Sequence, residues 1–140
     1  MKTKHDSTIE MVEEFHITFG HPVNDIPNVR DMKLNELRVN LIEEELNELK
    51  DALIAMDPAE AFDALCDLQY VLDGAFLALG FHNMKQEGVA EVHASNMSKL
   101  GDDGKPIYRE EDGKVLKGPN YRKPDLRVVL DKYKGDWYDK

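Results

Sequence analysis

Cysteine is nearly absent from this 140-residue chain: Cys66 is the only one. A single thiol closes no internal disulfide, which predicts a protein of a reducing compartment, the cytoplasm. The first residues, Met1 to Ser7, lack the apolar run of a secretory signal and support the same expectation. No apolar run approaches the ~18 residues of a membrane span. Basic residues are scarce as well. Lys and Arg total 18 against 28 Asp and Glu, a formal net charge of −10. With so small a basic footprint, neither nucleic acid nor an anionic membrane is expected as a partner. A polyanionic ligand would need cations to help carry it. The thiolate and imidazole spacing of a zinc site is also missing.

What remains is enough for one domain. Hydrophobic residues make up 41% of the chain, and this length buries a core without covalent staples. A helical core over about 7–100 and an arm over about 101–140 are expected. Ile9, Val12, Phe15 and Phe19 recur at helical spacing, so a first helix is predicted from Ser7 to Phe19, ended by Gly20-His21-Pro22. A long second helix is predicted from Asp31 to Met56, stopped by Asp57-Pro58. The third should run from Ala59 to Leu79 with Gly80 as its cap, and the fourth from Met84 to Lys99. Beyond Gly101 the segments Lys105–Arg109 and Lys114–Lys117 flank Glu111-Asp112-Gly113, a hairpin signal, and residues 125–140 read as a tail. The class is all-α, a four-helix bundle with a small C-terminal hairpin or extended arm.

Carboxylates fall where apolar residues are expected. At about 100° per residue, Leu34, Leu37, Leu41, Ile42, Leu46, Leu49, Ala52 and Leu53 form one arc of the second helix. Glu45 and Glu48 project near the middle of that arc and Glu44 at its edge, whereas Glu43 points to the solvated side. On the third helix Leu65, Leu68, Leu72, Phe76 and Leu79 form an apolar side, extended nearly all round by Ala61, Phe62, Cys66, Val71 and Ala75. Asp63 and Asp67 enter this surface one turn apart. Burying a carboxylate is costly unless it is paired or holds a metal. Hard divalent cations take oxygen ligands, so two such helices side by side suggest a Mg²⁺ site, with Mn²⁺ a substitute.

The run Arg38-Val-Asn-Leu-Ile-Glu-Glu-Glu-Leu-Asn-Glu-Leu, followed by Asp63-Ala-Leu-Cys-Asp-Leu-Gln-Tyr-Val-Leu, resembles the all-α nucleoside triphosphate pyrophosphohydrolases. These are the MazG and phosphoribosyl-ATP pyrophosphohydrolase-like proteins, whose signature is E-x-x-D after E-E-x-x-E. Glu44-Glu45-x-x-Glu48 matches the first half, and Asp67 matches the final Asp. The position three before Asp67 is Ala64, and Asp63, one turn before Asp67, stands in for the missing acid. The resemblance covers about residues 30–100 and implies a MazG-type fold. It also implies cleavage of a nucleoside triphosphate between the α- and β-phosphates to the monophosphate and pyrophosphate. On this reading Glu45, Glu48 and Asp67 are metal ligands and Glu44 and Asp63 complete the catalytic site, with Glu44 preferred for the attacking water. Substrate-binding candidates are Asn96 and Lys99 at the end of the fourth helix, Tyr70, and His21 in the loop. A homo-oligomer, dimer or tetramer, is expected from the nearly all-round apolar third helix.

Two other classes match parts of the pattern. A carboxylate-bridged di-iron bundle wants two Glu-x-x-His pairs; Glu13–His16 supplies one, and Glu91-Val-His93 has the wrong spacing. A helical module that oligomerises or binds nucleotide without cleaving it draws support from Ala64.

Overall fold

In the computed structural model, residues 7–133 are described; the expectations for residues 1–6 and for the tail past Tyr133 lie outside them. The chain is all-α. It forms α1 (Thr8–Phe19), α2 (Met32–Ile54), α3 (Pro58–Leu79), a 3₁₀ turn (His82–Met84), α4 (Lys85–Met97) and α5 (Leu126–Asp131). No single helix among the described residues is long and apolar enough to cross a membrane. The chain divides into two compact units, one reaching to Asn83 with α1–α3 and one starting at Met84 with α4, the arm and α5.

Side chains just outside each helix of the first unit fix its start. Ser7 Oγ accepts from the Glu10 amide at 3.3 Å, and Asp31 from the Leu34 amide at 3.1 Å. Asp57 accepts from the amides of Ala59 and Glu60, with Pro58 in the first turn where its missing N–H costs nothing. α3 packs against both α1 and α2. The contact side of α3 is built of small residues: Ala64, Gly74, Ala75 and Ala78 are buried together with Leu77. This corrects the expected core. Phe62 and Cys66 are exposed, as are Leu65 and Leu72 on α3 and Leu37, Leu46 and Leu53 on α2. Small side chains allow the closest helix approach, so α3 meets its neighbours on its alanine and glycine side.

The loop after α1 is tied to the end of α3. The Asn24 amide donates to Leu77 O at 2.9 Å, Asn24 Nδ2 to Ala78 O at 2.6 Å, and the Asn28 amide to Leu79 O at 2.9 Å. These bonds occupy carbonyls that the helix end leaves without partners. Gly80 caps α3 at φ +84°, and a Cβ there would stand 2.2 Å from Ile26 O. Gly80→Ala combines left-handed strain with a backbone clash and is expected to cost about 2–4 kcal/mol. A thermal melt with an unchanged midpoint would contradict that.

In the second unit the expected hairpin is a minimal one. Tyr108 pairs antiparallel with Val115, the Arg109 amide donates to Lys114 O, and the Leu116 amide donates to Ile107 O, each at 2.8 Å. The expected tail is corrected at its start, where α5 forms. Asp125 caps α5, Val129 is buried, and α4 supplies the anchors. Glu91 accepts from Arg122 Nη1 at 2.6 Å and from the Asp125 amide at 3.1 Å. Glu87 accepts from Lys132 Nζ at 3.0 Å and from Tyr133 Oη at 2.5 Å.

Candidate metal centre

Glu45 and Glu48 lie one turn apart on α2, and Asp67 lies on α3, which packs against α2. One carboxylate oxygen from each of the three falls within 4.8 Å of the others. Glu45 and Asp67 are half-buried and Glu48 is exposed. Burial is the largest influence on Glu45 and raises its pKa to about 7; a hydrogen bond with Glu48 and the charges of Asp67, Glu48 and Glu44 add to it. Asp67 is also raised, first by burial and then by the charges of Asp63 and Glu48. Glu45 Oε2 is buried and has no hydrogen-bond partner.

This donor set fits a hard divalent cation. Its ligand atoms are all carboxylate oxygens, they repel one another in the absence of positive charge, and one buried oxygen is idle. Glu44 is exposed and near enough to raise Glu45. Asp63, expected to point inward, is exposed. It borders a cavity of about 390 Å³ at the α2–α3 turn, together with Glu48, Asp51, Glu60 and Ala64. Ala64 itself is buried, so the motif position without its acid is a methyl at the wall of this cavity.

Two of the expected substrate-binding residues meet around a third side chain. Phe15 stacks on His21 with ring centroids 5.7 Å apart and takes Tyr70 edge-on at 5.7 Å. Phe15 and Tyr70 are about two-fifths exposed, so this wall is open. Tyr70 follows Asp67 by one turn on α3. Asn96, exposed in the last turn of α4, and Lys99, just past its end, belong to the second unit; the Lys99 amide donates to Asn96 O at 3.2 Å.

The burial of two basic residues, one of them the His16 named above as half of a Glu-x-x-His pair, was not anticipated from the sequence. Arg38 on α2 is 4% exposed and His16 on α1 is 3% exposed. Both continue apolar stripes, Leu34-Arg38-Ile42 and Val12-His16-Phe19, and that interruption is the signal that could have exposed them. His16 Nδ1 lies 2.9 Å from Pro22 O. Burial lowers the His16 pKa most; the Pro22 hydrogen bond opposes this, and the charges of Arg38 and His21 lower it further.

Comparison with known proteins follows the same region. The sequence model of the phosphoribosyl-ATP pyrophosphohydrolase family matches residues 12–97. Uncharacterized protein L479 of Acanthamoeba polyphaga mimivirus is 36% identical over 86 residues, which are 59% of this chain and 34% of that protein. The chain therefore spans about a third of the length of that curated relative. A crystal structure of a "putative NTP pyrophosphohydrolase" from Exiguobacterium sp. 255-15 aligns over 93% of this chain and 95% of that one. Its identity is 22% and its TM-score 0.32, values at which the likeness carries no argument.

Proposed function

Because the chain belongs to the phosphoribosyl-ATP pyrophosphohydrolase family, hydrolases that act on a pyrophosphate bond, we propose that it is a magnesium-dependent nucleoside triphosphate pyrophosphohydrolase. Its reaction splits the α–β anhydride of an NTP or dNTP with one water, giving the monophosphate and pyrophosphate. The observation that carries this reading is the convergence of Glu45, Glu48 and Asp67 oxygens within 4.8 Å. These three residues would hold Mg²⁺, which when bound supplies charge neutralisation for the phosphates and acidifies water.

The remaining roles belong to the chain. Glu44, with Asp63 as the alternative, orients the attacking water and accepts its proton as the P–O bond to the leaving pyrophosphate breaks. Tyr70 and His21 border the base, in line with their shared contact with Phe15. Exposed Phe62, Leu65, Leu72 and Leu46 support assembly as a dimer or tetramer, because apolar surface of this extent is seldom left to water. A monomeric mass by light scattering would overturn that part.

The alternative is a nucleotide-binding module without turnover, favoured by the methyl of Ala64 at the cavity wall. One assay separates the two: pyrophosphate release from a panel of ribo- and deoxyribonucleoside triphosphates with Mg²⁺, with Mn²⁺ and with EDTA. Release with either metal and none with EDTA is the expected result. Silence across the panel from folded protein would overturn the enzyme reading.

A further inference from the structure

Arg38 is a permanent cation with no counter-charge beside it among the described residues. It is 4% exposed, and its Nε and Nη2 are buried without hydrogen-bond partners. Among the described residues no carboxylate lies within ion-pair distance of it, although the chain carries ten more acids than bases. A guanidinium does not escape by losing its proton, and leaving its donors unpaired in the interior is costly. The groups around it do not relieve this. A Cβ on Gly74 would stand 3.0 Å from Arg38 Nη1 and 3.1 Å from His16 Nε2, so the bare glycine makes room for both nitrogens. His21 stands nearby, its ring centroid 5.4 Å from that of His16.

The position of this niche relative to the carboxylates is set by helix geometry. Asp63, Asp67, Tyr70 and Gly74 follow one another at spacings of four, three and four residues, one face of α3. On α2, Arg38 precedes Glu45 by seven residues, two turns or about 10 Å along the axis. The first three helices thus present the carboxylates of α2 and α3 at one station, the open rings of Tyr70 on α3 and Phe15 on α1 at the next, and the idle guanidinium of α2 at the far one. A nucleotide with its phosphates at the first station and its base on the rings brings the base edge to the third.

We infer that Arg38 is a specificity-determining residue that reads the nucleobase edge, selecting bases that carry a carbonyl oxygen where adenine and cytosine carry an amino group. This rests on the proposed function. Arginine has donors only, so its fork is completed by acceptors and is opposed by an exocyclic amine. The donors are buried in the free protein, so a base whose edge cannot pair with them gains nothing from reaching them.

The test compares kcat/KM for two matched pairs, UTP with CTP and ITP with ATP. The wild type is expected to favour UTP and ITP by about 10–100-fold. Arg38→Lys keeps the charge and loses the fork; it should slow UTP and ITP while leaving CTP and ATP nearly unchanged. Equal wild-type values within both pairs, a preference for the amino-bearing members, or a uniform fall of all four in Arg38→Lys would overturn the inference. The wild-type comparison stands even where the variant fails to fold. If the wild type hydrolyses no nucleotide, the proposed function fails, and calorimetric binding of UMP, CMP, IMP and AMP decides the Arg38 question separately. Tighter UMP and IMP binding supports it, and equal or reversed affinities overturn it.

Discussion

Glu48→Ala is expected to lower metal-dependent pyrophosphate release by about 10²–10³-fold, the range found when one electrostatic contact to a transition state is removed. Its oxygen is one of three within 4.8 Å, and no other described residue completes that cluster. The same substitution should leave the metal-free fold as stable as before, or more so by about 0.5–1 kcal/mol. Glu48 is exposed, so little packing is lost. Its charge also acts against Glu45 and Asp67, raising both. Activity and stability therefore move in opposite directions, which kinetics and a thermal melt on the same preparation would show. A variant that melts early and still hydrolyses would place the metal elsewhere.

The second large effect is a pH dependence with an unusual sign. In the folded, metal-free protein Glu45 has its pKa raised from 4.5 to about 7, chiefly by burial. Between those values the folded state holds a proton that the unfolded state has released, so stability falls as pH rises across the interval. Asp67, also raised, acts in the same sense. Glu87 and Glu91 act in the opposite sense. Hydrogen bonds, from Tyr133 to the first and from Arg122 to the second, lower their pKa values, and their contribution is lost as pH falls below the ordinary carboxylate range. Urea melts in EDTA from about pH 5 to about pH 8 should therefore show declining stability toward neutrality. Mg²⁺ should reverse the decline, because the cation takes the deprotonated cluster and binds the folded state alone. Glu45→Gln should flatten the profile. A metal-free stability that rises steadily to pH 8 in the wild type would contradict the coupling.

Much of this was legible in the residues. Local chemistry sets the helix ends: Asp31, Asp57 and Pro58 open helices, and Gly20 and Gly80 take the left-handed cap, all within one or two residues of the positions read from sequence. The convergence of Glu45, Glu48 and Asp67 could be anticipated because acids on an apolar stripe are costly to place and two neighbouring helices carried them. Periodicity did not say which apolar side of α3 meets its neighbours. Leucines dominate a helical-wheel count, but Ala64, Gly74, Ala75 and Ala78 permit the closest contact and form the buried side. α5 was hidden for another reason. Six residues make a marginal helix alone, and the anchors Glu87 and Glu91 lie more than thirty residues away on α4. The burial of Arg38 and His16 was missed because counting apolar residues passes over a basic side chain standing in the stripe.

On the proposed reading the carboxylates of α2 and α3 serve a metal-dependent cut between the α- and β-phosphates. Phosphorus NMR of a nucleoside triphosphate incubated with the protein and Mg²⁺ tests it most directly. One monophosphate and one pyrophosphate per substrate are expected, and no products when EDTA is present. A diphosphate with inorganic phosphate, or products that persist in EDTA, would contradict it.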